Sequence, residues 1–454
     1  MSQKLFGTSG IRGIVNQDFT LHLALQTGLA VATATNAGKI AIAHDTRTTA
    51  TTIENALVAG LLAGGTRVIK LGLIPTPVLA YATRHLKANT GIMITASHNP
   101  PQYNGIKLFN ANTIAYTKKQ EDKIERLIKK QQFKRQTYQK IGTTTTTDAI
   151  SRYIKALTKA SLHEKWRVIL DPGNGATCHI APMIFQALGC KVTTINAQPD
   201  GYFPARSPEP DAESLADLCK IVKQLNADVG FAYDGDGDRM VAVTGKGEFA
   251  PLDQTLAAYS AHVVKVNKGG TVITTVEASM CIEKMVQQHG GNILRTKVGD
   301  VAVAEEIKKR KAVFGGEPCG AWIHPRFHYC PDGVLSSVLL LKALESEDKT
   351  LYKFIAEVPY YPLKKKGVEC PNEAKAKVMR RIKETLPSVF PKATELIDID
   401  GIRLSLVNGW ILIRASGTEP LIRVKVEAEN TQGAEKIMEK CIGLVHRAIK
   451  EVVS

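Results

Sequence analysis

Short apolar, β-branched runs alternate with longer stretches of helical periodicity through the first three-quarters of the chain. Runs near residues 40–43, 68–71 and 92–95 read as buried strands, as do 168–170 and 229–233. A third set lies near 272–276, 293–296 and 312–315. A helical stretch that ends at glycine just before such a strand recurs at Gly64-Gly65, Gly189 and Gly290-Gly291. Glycine at a helix C-terminus followed by a buried strand is the αβ half of a repeating unit. These echoes stand a domain's length apart, so the pattern predicts three related α/β domains with mixed sheets.

The last quarter reads differently. Ile402 and Leu404 alternate with polar residues up to Leu406, Trp410 and Leu412 keep the spacing of two in an apolar run beyond, and Asp400-Gly401 and Asn408-Gly409 stand beside them as hairpin signals. An antiparallel sheet is expected here, with a helix near 373–386 before it. Ala434, Ile437, Met438, Cys441, Val445, Ala448 and Ile449 make one apolar helical face after it. This is a C-terminal α+β domain. Lys364-Lys365-Lys366-Gly367 reads as a hinge and the threonine run 143–147 as a linker or exposed loop. The expected domains are therefore 1–148, 149–250, 251–362 and 363–454, which suits a chain of 454 residues.

Composition narrows the class. Hydrophobic residues at 44% and charged residues at 22% are ordinary for a globular chain. The weakly polar run 21–38 carries His22, Gln26 and three threonines, so it is a buried helix and not a membrane span. The opening residues have no apolar leader, and eight cysteines occur without a Cys-x-x-Cys pair. Both point to a reducing cytoplasm. The net charge of +16 does not point to nucleic acid, because aromatics are only 6% and are not interleaved with the lysine runs. A positive field instead favours a small anionic substrate. No membrane or nucleic-acid partner is expected, and the sequence is silent on oligomeric state.

Four stretches carry candidate chemistry. Thr95-Ala96-Ser97-His98-Asn99-Pro100-Pro101 follows an apolar strand, and the prolines end regular structure, which holds the Ser97 hydroxyl on a rigid loop. Such a hydroxyl can carry an acyl or phosphoryl group. Asp234-Gly235-Asp236-Gly237-Asp238-Arg239 also follows a strand, and its glycines let three carboxylates converge on a hard cation, with Mg²⁺ the best fit. An EF-hand is excluded, since the sixth and twelfth positions are Arg239 and Gly245. Arg414-Ala415-Ser416-Gly417-Thr418-Glu419-Pro420 offers small residues between two strands, with Arg414 and Arg423 adding charge, as a phosphate anchor does. Glu317 follows a strand and is able to accept hydrogen bonds from sugar hydroxyls. Cys319, His324, His328 and Cys330 match no standard zinc spacing. Asp171-Pro172-Gly173-Asn174-Gly175 lacks the third glycine of a dinucleotide fingerprint.

Taken in order, the Ser97 loop with Asn104-Gly105-Ile106-Lys107, the Asp234 loop, Gly316-Glu317-Pro318-Cys319-Gly320 and the Arg414 loop resemble the four signature loops of the alpha-D-phosphohexomutases. Phe6-Gly7-Thr8-Ser9-Gly10-Ile11-Arg12-Gly13 is similar to the amino-terminal signature of that family. The resemblance spans residues 6–424. It implies four domains around one central cleft, each supplying one loop.

The resemblance also implies roles. Ser97 would be the phosphoserine, and its phosphate would join Asp234, Asp236 and Asp238 in holding one Mg²⁺. Arg12, His98 and Lys107 are the candidates for proton transfer and charge stabilisation, with the base unassigned among them. Arg239, Lys297, Glu317 and Cys319 would contact the sugar; the family often has Ser where Cys319 stands. Arg414, Ser416, Gly417, Thr418 and Arg423 would hold the phosphate that is not reacting. A hexose 1,6-bisphosphate would serve as intermediate and activator. Thr296-Lys297-Val298-Gly299-Asp300 and the Arg414 loop followed by Leu421-Ile422-Arg423-Val424 are more similar to phosphoglucosamine mutases than to phosphoglucomutases or phosphomannomutases, and Gly7-Thr8-Ser9-Gly10 resembles archaeal members. The expected reaction is glucosamine 6-phosphate to glucosamine 1-phosphate; the alternative is phosphoglucomutase/phosphomannomutase activity, a bifunctional enzyme included.

Overall fold

The computed structural model describes residues 4–7, 10–417 and 419–453. It forms two compact units, one of residues 1–252 and 299–355, the other of 253–298 and 356–454.

The first unit holds two mixed sheets. Strands β1 (Ile11–Ile14), β2 (Lys39–His44), β3 (Arg67–Leu73), β4 (Thr90–Ile94), β5 (Tyr103–Asn110) and β6 (Thr143–Thr146) run in the order β1-β5-β4-β2-β3-β6. The β4-β2-β3-β6 part is parallel, and β5 and β1 add antiparallel strands at one side. Helices Leu21–Ala34, Ala50–Ala63 and Lys118–Lys129 cover Ile40, Ile42, Val68, Ile92 and Ile94 in one apolar core. Thr20 starts the first of these helices by accepting a hydrogen bond from Leu23 N at 3.1 Å. The second sheet runs β10-β9-β7-β8, from β7 (Arg167–Asp171), β8 (Lys191–Thr194), β9 (Val229–Tyr233) and β10 (Met240–Thr244). Only the β9–β10 pair is antiparallel. A fourth antiparallel pair joins β13 (Phe314–Gly316) to β14 (Trp322–Ile323).

In the second unit, β11 (Gly270–Thr275) and β12 (Gly291–Thr296) pair in parallel. The C-terminal sheet is antiparallel throughout, in the order β15-β19-β18-β17-β16. Its strands are β15 (Leu363–Glu369), β16 (Ala393–Ile397), β17 (Ile402–Leu406), β18 (Gly409–Ala415) and β19 (Leu421–Ala428). Helices Lys375–Val389 and Thr431–Val453 pack on Ile411, Ile413, Val424 and Val426. On the opposite face, Trp410 and Leu412 pack on Val276.

The predicted helix-ending glycines are present, with Gly65, Gly189 and Gly290 at φ of 83°, 85° and 78°. Three local readings are corrected. Lys364 to Gly367 is not a hinge but the middle of β15, paired with Val424 and its neighbours on β19. Lysines suit such an edge strand because their charge opposes pairing with a further chain. The threonine run is not a loop either: it is the exposed edge strand β6, paired with β3 from Arg67↔Thr143, where β-branched residues fit the pleat. The β17–β18 hairpin turns on Val407-Asn408, one residue earlier than its Asn-Gly signal, since Gly409 already pairs with Leu406.

Candidate active site

The β4–β5 connection carries Ser97. Register partners Ile94↔Ile106 close the hairpin, and Ser97 sits beyond them at φ 52°. That left-handed conformation costs an L-residue about 1–2 kcal/mol, so its surroundings must impose it. Ser97 N donates to Thr95 Oγ1 at 2.8 Å, and its carbonyl accepts from Arg47 Nη2 at 2.9 Å. Arg47 is buried and also donates to the carbonyls of Asn99, Pro100 and Tyr103, at 2.6, 2.7 and 2.8 Å. Its Nε donates to Asp45 Oδ2 at 3.2 Å, and that oxygen also accepts from Thr95 Oγ1 at 2.6 Å.

The β9–β10 hairpin closes at Tyr233↔Met240 and holds the acidic cluster. Ser97 Oγ donates to Asp234 Oδ2 at 2.7 Å, which brings the two predicted centres together. A Cβ on Gly235 would stand 2.5 Å from the Ser97 carbonyl oxygen, so only glycine permits this approach. Asp234, Asp236 and Asp238 are all buried, and each offers an oxygen within 4.8 Å of the others. Lys107 Nζ, from β5, donates to Asp236 Oδ2 at 2.7 Å and to Asp238 Oδ2 at 2.8 Å. Thr76 Oγ1 donates to Asp236 Oδ2 as well, yet Asp236 Oδ1 is buried without a partner among the described residues. Burial, with Asp238 and Asp236 alongside, raises the pKa of Asp234 well above the carboxylate range. Burial works against charge on Lys107 too, but the Asp236 and Asp238 carboxylates outweigh it and hold its pKa above the usual value. One ammonium shared between Asp236 and Asp238 leaves the trio with an unsatisfied carboxylate oxygen. That donor set fits a hard divalent cation.

Around this centre lie the other predicted groups of the first unit. Arg12 Nη1 donates to Asn99 Oδ1 at 2.7 Å, which ties β1 to the Ser97 loop. His98 Nδ1 is 3.2 Å from Ser97 Oγ and 3.6 Å from Glu209 Oε2. Burial and then the Arg239, Arg12 and Lys107 cations push the His98 pKa down to about 3. Arg239 Nη1 donates to both oxygens of Glu209, at 3.0 and 3.1 Å. Glu317 lies in the loop closed by Gly316↔Trp322 and accepts from Gly299 N at 2.9 Å. Burial and the neighbouring Asp300 raise its pKa to about 7. Burial likewise pushes the Cys319 thiol up to about 12.

The histidines weighed for zinc serve packing instead. His324 Nε2 lies 2.9 Å from Ser336 Oγ, and His328 Nε2 lies 2.9 Å from Asp332 Oδ2. Among the described residues the aspartate trio is the metal-capable cluster.

In the second unit, the β18–β19 hairpin closes at Ala415↔Ile422 and carries the Arg414 loop. Arg414 Nη1 donates to Glu277 Oε1 at 2.9 Å and its Nε lies 3.1 Å from Asp400 Oδ1. Lys425 Nζ takes the other Glu277 oxygen at 2.6 Å. Arg423 is ion-paired with Glu419. Ser416 is buried, its Oγ accepts from Glu419 N at 3.2 Å, and its carbonyl accepts from the buried Lys375 Nζ at 2.7 Å. Lys375 also donates to the Glu419 carbonyl. Lys297 is exposed, Gly417 stands in open space, and Thr418 lies outside the described residues, as do Thr8 and Ser9.

Comparison with known proteins decides the family. Models of phosphoglucomutase/phosphomannomutase domains match in order: alpha/beta/alpha domain I over residues 3–135, domain II over 149–247, domain III over 251–361 and the C-terminal domain over 367–443. The chain is 44% identical over 452 residues to the phosphoglucosamine mutase of Methanocaldococcus jannaschii, covering 98% of this chain and 99% of that one. It belongs to the alpha-D-phosphohexomutases. Its similarity to the phosphoglucosamine mutase of Methanococcus maripaludis is equal, at 44% over 456 residues, covering 99% of this chain and all of the relative. The fold matches a crystal structure of a phosphoglucomutase/phosphomannomutase family protein from Burkholderia thailandensis with a TM-score of 0.89 and 26% identity, over 99% of this chain and 98% of that one. As in that family, three α/β domains with mixed sheets precede a C-terminal domain built on an antiparallel sheet. No described helix is long and apolar enough to cross a membrane.

Several groups of this phosphohexomutase were not singled out from sequence. Asp45, Arg47, Thr76 and Glu209 sit far from the signature loops in the chain and reach them only through the fold. An Asp-x-Arg after a strand end is the one local signal available for Asp45 and Arg47. Lys375 looks like any helix lysine, and its burial against the Arg414 loop is a tertiary fact.

Proposed function

We infer that this chain is a phosphosugar mutase interconverting glucosamine 6-phosphate and glucosamine 1-phosphate. One observation carries the chemistry: the Ser97 hydroxyl sits 2.7 Å from Asp234 in a buried three-carboxylate cluster. The amino-sugar substrate is supported by the names of the archaeal relatives. Phosphorylated Ser97 gives its phosphoryl group to the free hydroxyl of the sugar phosphate. The Ser97 Oγ–P bond breaks as the sugar O–P bond forms, the sugar proton leaves to a base, and a proton returns to Ser97 Oγ. The resulting hexose 1,6-bisphosphate returns its other phosphoryl group to Ser97, and added bisphosphate would recharge an unphosphorylated serine.

Arg12, His98 and Lys107 are assigned to proton transfer and charge stabilisation, with His98 uncharged at neutral pH and Lys107 charged. Asp234, Asp236 and Asp238, with an oxygen on phosphorylated Ser97, would hold Mg²⁺, which when bound neutralises charge at the transferring oxygens. Arg239, Lys297, Glu317 and Cys319 are assigned to the sugar. Arg414, Ser416, Gly417, Thr418 and Arg423 are assigned to a phosphate of the substrate. Eight free cysteines suit a reducing cytoplasm.

The test is intact-mass analysis of the protein and of Ser97→Ala, with kcat/KM measured on glucosamine, glucose and mannose 1-phosphates. The expected result is a phosphate-sized mass increment that Ser97→Ala loses together with activity, and a preference for the amino sugar. Undiminished turnover by Ser97→Ala overturns the mechanism; a clear preference for mannose overturns the substrate.

A further inference from the structure

Arg47 has five N–H donors, and every one is committed. Four go to carbonyls of the Ser97 loop, those of Ser97, Asn99, Pro100 and Tyr103, and the fifth goes to Asp45. A guanidinium is the side chain that spans four carbonyls and a carboxylate at once; an ammonium has three donors. Asp45 completes a second line to the same serine. Its Oδ2 accepts from the Thr95 hydroxyl at 2.6 Å, which fixes that proton and turns an oxygen lone pair toward Ser97 N, 2.8 Å away. Both the N–H and the C=O of Ser97 are therefore held from one buried ion pair, Asp45–Arg47.

We propose that Arg47, Asp45 and Thr95 are positioning residues for phosphoryl transfer: they impose the left-handed backbone of Ser97 that aims its Oγ at the carboxylate cluster. The inference rests on the reading of Ser97 as the phosphoryl carrier. None of the three touches Asp234, Asp236 or Asp238 through a hydrogen bond, so their effect on the reaction runs through the loop. A relaxed Ser97 would swing its hydroxyl off line, and misplacement of a reacting group by an ångström costs about 100-fold in rate.

The experiment compares Thr95→Val, Thr95→Ser, Arg47→Lys and Ser97→Ala with the wild-type chain, under saturating bisphosphate and Mg²⁺, with thermal melting of each. Thr95→Val keeps the shape and loses the lone pair. It should lower kcat about 10- to 100-fold with KM within about twofold and a cooperative melt. Thr95→Ser, which restores the hydroxyl, should recover kcat to within about threefold. Arg47→Lys should show the same split between kcat and KM. Full kcat in Thr95→Val overturns the inference, as does a Thr95→Ser no better than Thr95→Val, or a loss that appears in KM alone. Activity in Ser97→Ala strikes the mutase reading instead; an inactive Ser97→Ala beside a fully active Thr95→Val strikes only this inference.

Discussion

Arg414 on β18 and Arg423 on β19 are direct register partners, two cations facing each other across one antiparallel pair. Like charges so placed repel, and here Glu277, Asp400 and Glu419 offset them. A phosphate dianion bound by this loop would offset them further. Arg423→Gln should therefore leave the melting temperature of the ligand-free protein unchanged or slightly higher, while raising KM for the sugar phosphate about tenfold. Added inorganic phosphate should stabilise the wild-type chain more than the variant, and the difference should shrink with salt. Equal stabilisation of both would remove Arg423 from the anchor.

Lys107 is the only side-chain cation hydrogen-bonded to the aspartate trio among the described residues. Lys107→Met would leave Asp236 and Asp238 buried without it, a change worth about 3–5 kcal/mol for a broken buried pair. The variant should melt well below the wild type in chelator. Millimolar Mg²⁺ should restore much of the difference, because a cation in the cluster replaces the lost charge. A melt in Lys107→Met that is indifferent to Mg²⁺ would speak against a cation at these carboxylates.

Glu317 gives stability a pH dependence of definite sign. Its folded pKa is raised to about 7 from 4.5, chiefly by burial. Between these values the folded chain keeps a proton that the unfolded chain has released, so this group's contribution falls as pH rises through the interval and is level above it. Glu317→Gln, whose amide oxygen can still accept from Gly299 N, should be close to wild type in urea midpoint at pH 5 and more stable at pH 8. The opposite trend would mean that Glu317 is ionised and satisfied in the fold.

The chemistry of this molecule was legible where residue types cluster in sequence. Ser97 and Asp234 each announce themselves by a strand, a turn and an unusual concentration of polar groups, and they meet across 137 residues of chain separation. What the pattern could not show is the partner strand. In the sequence each of the first three signature loops follows a strand, yet nothing shows that each closes an antiparallel hairpin, at Ile94↔Ile106, Tyr233↔Met240 and Gly316↔Trp322. The short apolar runs that form β10 and β14 carry no period long enough to separate them from loop. Arg47 and Lys375 were invisible for another reason, because a buried cation is recognised by what surrounds it. The Lys364 run misled through its charge, which marks an exposed edge as readily as a joint between domains.

The hairpin closure of all four signature loops bears on how such an enzyme diversifies. Each loop is closed at its base by a register pair of its two strands, so residues exchanged or inserted at its tip leave strand register intact. Selectivity for a new sugar can then be acquired one loop at a time, with the frame unaltered and the transfer chemistry inherited.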